Sequence, residues 1–185
     1  VMFGLTTFVV LLSVATHLLH RTTSFLDDYL ILQGITGISG NLTYILNGLL
    51  IVPILLLAIS YYYYKKEDTR ADLWLTLTLT FASMSIIAGG DGLTEYHFSI
   101  FMVVALIASF QNIFYIVLST ILFAIHHLAG YFLFPQLICG TDNYSFSLLL
   151  IHAIYLIMTS LATVIVIYNA KKVEQQLSQD ADAIE

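Results

Sequence analysis

Long apolar stretches alternate with short polar breaks along this chain. The apolar runs cover residues 1–19, 42–62, 71–89, 98–110, 113–134 and 146–168. A helix needs about 20 apolar residues to cross a hydrocarbon core of about 30 Å. Five of the runs approach that length unaided, and the fourth does so only by borrowing residues 94–97. The runs are unbroken instead of alternating, which predicts helices and not a β-barrel. The expected fold is therefore all-α, an integral membrane bundle of six transmembrane helices. Residues 21–41 are less apolar, and 26–38 have helical spacing with Gly34, Gly37 and Gly40. This segment predicts a short extra outer helix, amphipathic or re-entrant. Pro53 is expected to kink the second span. Thr76, Thr78, Thr80, Ser83 and Ser85 are expected to hydrogen-bond between helices. Gln111–Asn112 reads as a tight turn, Pro135 as the end of the fifth span, and 136–146 as a polar loop.

Composition confirms the class. The chain is 59% hydrophobic and 10% charged over 185 residues, with a mean hydropathy of +0.90; a soluble domain carries about 25% charged residues. Six spans and short connections leave no room for a soluble domain. The first run lacks a basic leader and a small-residue cleavage site, so it reads as a span and not a signal peptide. One cysteine, Cys139, excludes an internal disulfide and a cysteine-based metal site. The net charge of −6 lies largely in the last dozen residues and gives no reason to expect nucleic acid.

The basic residues orient the chain. Lys65, Lys66, Arg70, Lys171 and Lys172 fall on one side of a six-span topology, and Arg21 alone on the other. The excess of positive charge predicts that the first side, with both termini, is cytoplasmic. Residues 21–41, 89–96 and 136–146 are then outside.

That orientation gathers the candidate chemistry. All six histidines, His17, His20, His97, His126, His127 and His152, fall within roughly 12 Å of the outer surface at about 1.5 Å per residue. The Gly89–Phe101 stretch adds Asp91 and Glu95. Ionisable groups at such depth are costly against lipid and are expected to turn into the bundle. His17 and His20 are three apart and share a helix face. His126 and His127 leave their helix about 100° apart, so only one is expected to face the interior. Neutral imidazoles in an apolar bundle are good metal ligands. Several imidazoles with one carboxylate suit non-haem Fe, Cu or Zn. Haem b is the alternative, needing only one or two axial histidines. The ligand set expected is His97, His127, His152, Glu95 and His20, with His17, His126, Asp91 and Arg21 as further candidates. The bland alternative is a hydrogen-bonded polar cluster that knits the spans together.

Gly-Gly-Asp-Gly-Leu-Thr-Glu-Tyr-His-Phe-Ser-Ile-Phe-Met-Val-Val-Ala (89–105) and Phe-Ala-Ile-His-His-Leu-Ala-Gly-Tyr-Phe (123–132) resemble the multi-pass membrane input region of bacterial methyl-accepting chemotaxis proteins. A looser E-x-H-F pattern is similar to regions of membrane histidine kinases. The resemblance covers 44–170 well and matches Glu95, His97, Phe98, His127 and His152. The kinases often carry a second histidine where this chain has Ser99, which argues against a dinuclear centre. The resemblance implies a sensor domain over 1–170 and the start of a cytoplasmic signalling helix over 171–185. It implies the bacterial inner membrane, a homodimer in membrane lipid, and a signalling region with its kinase complex outside this sequence. Val173, Leu177 and Ile184 are near heptad spacing, so the sequence reads as a piece of a longer receptor. The expected function is sensory input and not catalysis, with the histidine site sensing a small ligand, a redox state or the metal itself. The rival is a membrane metalloenzyme, a hydrolase or oxidase, using Glu95 as general base or ligand. A transporter is disfavoured, because no internal repeat is visible.

Overall fold

The structure is a computed structural model that describes every residue except 36, 37, 39, 142, 184 and 185. The elements are α1 (Met2–Thr22), α2 (Asp27–Leu32), α3 (Leu42–Lys65), α4 (Ala71–Gly89), a 3-10 turn (Thr94–His97), α5 (Phe98–Ala108), α6 (Ile113–Leu133), α7 (Pro135–Cys139) and α8 (Phe146–Asp182). No strand occurs among the described residues. Five helices, α1, α3, α4, α6 and α8, are long and apolar enough to cross a membrane. This is consistent with a multi-pass membrane protein.

The fourth expected span is the exception. α5 has 11 residues, about 16 Å of helix, or roughly half a hydrocarbon core. Its termini explain the shortness. Asp91 and Gly92 both hold positive φ and turn the chain sharply, and Thr94–His97 then wind as 3-10. At the other end Gln111 has positive φ, and the Asn112 side chain accepts the Phe114 N–H to start α6. Five helices of crossing length therefore stand where the hydrophobic pattern suggested six.

α4 is the centre of the bundle. In its apolar stretch 72% of residues are buried, against 11% for α3 and 17% for α8. It can sit there because its hydroxyls find partners on its neighbours. Ser85 pairs with Ser13 of α1 at 2.7 Å, Thr78 with Ser60 of α3 at 2.9 Å, and Ser83 with Ser99 of α5 at 2.7 Å. Thr76 and Thr80 donate back to carbonyls of α4 itself. A buried hydroxyl without a partner is costly in an apolar medium, so this hydroxyl ladder fixes which face of α4 meets which helix. Leu79, Ile87, Val103, Ile107, Ile116 and Phe123 fill the space between α4, α5 and α6. α3 and α8 turn side chains such as Leu55, Ile154 and Met158 outward, where a bilayer would solvate them.

The two ends of the bundle differ chemically. At one end Phe3 stacks on Tyr64, Ser109 donates to Met2 Sδ at 3.0 Å, and Gln111 shares a shallow cavity with Asn169 and Val173. Lys65, Lys66, Arg70, Lys171 and Lys172 belong to the segments meeting at this end. The half-buried Asp68 there is held down to about 2, chiefly by the Arg70 side-chain hydrogen bond. Arg21 and the histidines belong to the opposite end.

Two further expectations are corrected. The helix expected over 26–38 is reduced to Asp27–Leu32, with no buried residue; Gly37 lies outside the described residues. The expected polar loop 136–146 begins with α7, whose Leu137 and Ile138 are buried; Ile138 packs where a Cβ on Gly130 would stand. The helical continuation expected past the sixth span is present: α8 is one helix of 37 residues running through Lys171 and Lys172. At about 1.5 Å per residue it is about 55 Å long, well beyond a hydrocarbon core. α3 runs through Pro53 as one helix.

Candidate functional site

The Gly-rich turn after α4 is built by close approach. A Cβ on Gly89 would stand 2.4 Å from the His17 ring, and one on Gly90 would stand 2.0 Å from the Tyr96 ring. Only a hydrogen at these positions lets α1 and the 3-10 turn close over the end of α4.

Two clusters result. The first surrounds Asp91, which is 2% exposed. His20 Nδ1 donates to Asp91 Oδ2 at 2.9 Å, and Arg21 pairs with Oδ1. His20 Nε2 meets the Tyr96 hydroxyl at 2.8 Å. Burial pushes the Asp91 carboxyl up, but the hydrogen bonds from His20 and Arg21 outweigh it and hold it below its ordinary value. His17 lies one turn deeper, with Nε2 donating to the Ser85 carbonyl at 3.0 Å. This cluster places His20 apart from the other residues of the expected ligand set. Both nitrogens of His20 are engaged, so it has no lone pair to offer a metal as placed. Asp91 and Arg21 neutralise each other. The cluster ties α1 to the turn, which is the role the bland alternative assigned to polar groups here.

The second cluster joins three helices. The rings of His97 (start of α5) and His127 (α6) have centroids 5.4 Å apart, and those of His97 and His152 (α8) 5.5 Å. Each has the same tether. His97 Nδ1 reaches the Leu93 carbonyl at 3.1 Å, His127 Nδ1 the Phe123 carbonyl at 2.8 Å, and His152 Nδ1 the Leu148 carbonyl at 2.9 Å. A carbonyl only accepts, so the proton sits on Nδ1 and the lone pair on Nε2. Among the described residues none of the three Nε2 atoms has a hydrogen-bond partner within the chain. The three rings border two cavities. One, of about 10 Å³, is also lined by Cys139 and Tyr144 and has room for about one water-sized particle. The other, of about 630 Å³, is lined by apolar residues of α5, α6 and α8. Phe98, Leu128, Ile151 and Tyr155 at its edge are exposed, so it opens toward the side of the bundle.

Glu95 does not join this group. It is exposed and takes a hydrogen bond from Tyr29 of α2 at 3.3 Å. The 3-10 winding accounts for the divergence from His97, since residues two apart there point about 120° from each other. Of the adjacent pair His127 is buried and His126 half-buried, as directions about 100° apart suggest, but both ring nitrogens of His126 are covered and without a hydrogen-bond partner. Its ring stands 5.4 Å from that of His127.

The fit to a metal can be judged from this geometry. Metal-bound histidines characteristically donate the second ring N–H to a carbonyl or carboxylate, and all three rings do so. A Zn–N bond of about 2.0–2.1 Å places a ring centroid about 3.2 Å from the metal, so rings at a tetrahedral angle stand about 5.3 Å apart. The spacings of His97 to His127 and of His97 to His152 match. As placed, however, no three His, Cys, Asp or Glu side chains among the described residues have donor atoms gathered closely enough to hold an ion. The spacing describes whole rings and the gathering describes lone pairs, so both statements hold: the donor chemistry fits, and the rings must turn to converge. The Cys139 thiol beside them is pushed up to about 11 by burial, which keeps it protonated. No family model matches the sequence, and comparison with curated proteins and with solved structures finds no match.

Proposed function

We propose that this chain is the sensory input region of a chemoreceptor-like transducer in a bacterial inner membrane. Its stimulus site is a transition-metal centre at His97, His127 and His152. The observation that carries this reading is the position of His152. It faces His97 from α8, the helix that continues unbroken beyond the apolar stretch. A change at the three rings therefore acts directly on the one element that can carry it out of the bilayer. The metal, when bound, supplies a Lewis-acidic position or a redox couple. His97 and His127 fix one side of it from α5 and α6, and His152 links it to α8. Signalling then requires two packings of α8 that the ligand binds unequally.

In this reading α5 with its 3-10 turn is the sixth crossing. One end lies at His97 and the other contacts Met2, so it traverses the bundle despite its length. The basic end is cytoplasmic by the positive-inside rule. The extension of α8 exposes Val173 and Leu177, one turn apart, as a seam for a second copy. The position of Glu95 favours sensing over the rival enzyme, because the cluster keeps no carboxylate to serve as a base.

The test uses the receptor with its signalling region attached. His97→Ala is expected to abolish the stimulus-dependent output and leave a fixed basal output. Sustained catalytic turnover by residues 1–185, lost in Glu95→Gln, would replace this reading with the enzyme.

A further inference from the structure

His126 is the unexplained residue of this end of the bundle. It lies among apolar helices with both ring nitrogens buried and neither hydrogen-bonded. Buried polar groups almost always find a partner, and an exception points to a bound water, an ion or a chemical role. Every other histidine here has at least one ring nitrogen held by the chain. His126 alone has none. Its nearest ring is that of His127 at 5.4 Å, the same spacing as His97 to His127 at 5.4 Å and His97 to His152 at 5.5 Å. His97 is also within electrostatic range of it.

We infer that His126 is a fourth metal-binding imidazole, and that His97, His126, His127 and His152 together take one borderline cation of the Zn(II) or Cu(II) class. The inference rests on the metal reading above and extends it. An all-imidazole donor set disfavours Mg(II) and Ca(II), which take oxygen ligands, and suits Zn and Cu best among the first-row metals. The division of labour follows from the tethers. His97, His127 and His152 are oriented by their Nδ1 hydrogen bonds, while His126 swings in to complete the shell. His126 cannot be exchanged for a polar group of another shape without leaving either an empty coordination position or an unpartnered buried atom.

The probe is Zn(II) added to the purified chain in lipid nanodiscs after removal of metal. His126→Leu keeps the volume and removes the unpartnered nitrogens. It is expected to unfold at the same or a higher temperature than the unmodified protein without metal, and to bind Zn(II) at least tenfold more weakly, the scale on which metal sites respond to loss of a supporting group. Unchanged Zn(II) affinity in His126→Leu overturns the inference while leaving the metal reading intact; no Zn(II) or Cu(II) binding by the unmodified protein overturns both. Should His126→Leu fail to fold, nitrogen NMR of the unmodified protein labelled at histidine decides. Four imidazoles whose nitrogens shift on Zn(II) addition support the inference, and three contradict it.

Discussion

His97 and His152 face each other with ring centroids 5.5 Å apart, the first at the start of α5 and the second near the start of α8. Among the described residues no other pair of histidine rings in contact joins the site to the last helix. His152 is only half-buried, so its replacement leaves the core intact. His152→Ala is therefore expected to keep the unfolding temperature within a few degrees of the unmodified protein. It is expected to weaken Zn(II) binding at least tenfold and to uncouple stimulus from output. Isothermal titration and a receptor output assay measure the two effects.

The Asp91 cluster makes stability depend on pH. The folded carboxyl is held below its ordinary value of 3.8, so the folded state favours the ionised form. Its contribution is fully present above about pH 4 and is lost as pH falls through the lower folded value. Asp91→Asn is expected to cost about 3 kcal/mol at pH 7, the low end for breaking a buried pair, because Arg21 is 31% exposed. Thermal unfolding between pH 7 and pH 3 should show a steeper acid loss in the unmodified protein than in Asp91→Asn. Parallel curves would show that the carboxylate contributes nothing.

Gly90 tests the turn itself. A methyl group there would stand 2.0 Å from the Tyr96 ring, which must then leave the His20 Nε2 it meets at 2.8 Å. Gly90→Ala is expected to destabilise the fold by about 1–3 kcal/mol, the range for overpacking. Circular dichroism melts in detergent measure it, and an unchanged melt would mean the turn has slack.

Orientation is testable by labelling. In a Cys139→Ser background, Ser145→Cys is expected to react with a membrane-impermeant maleimide on intact spheroplasts, and Ser178→Cys only after permeabilisation. The reverse pattern would invert the assigned topology.

The sequence made the helices legible and left the short connections obscure, for physical reasons. α4 was read at its observed ends, because Arg70 and the Gly89-Gly90 pair bracket a continuous apolar run. α5 was read too long: apolarity marks what can enter a bilayer, whereas the positive φ of Asp91 and Gln111 decides where a helix starts and stops. α7 was missed, since five residues give no periodicity, and its burial against Gly130 is a tertiary fact. In the site, three spans each carrying one histidine near the same end pointed to His97, His127 and His152, and their rings adjoin. Spacing could not show that Glu95 turns to Tyr29 or that His20 is taken by Asp91 and Tyr96. The about 100° rule for adjacent helical residues separated buried His127 from half-buried His126, and could not show that the His126 ring nitrogens are covered without a partner.

The central claim is that His97, His127 and His152 act as one metal-binding unit. Elemental analysis of the purified protein after Zn(II) reconstitution, taken together with its absorption spectrum as isolated, tests it most directly. The account predicts about one equivalent of bound transition metal per chain, no Soret band, and loss of that metal in His127→Ala with the fold retained. A chain that holds no metal, one that holds as much in His127→Ala, or one that shows a Soret band would contradict it.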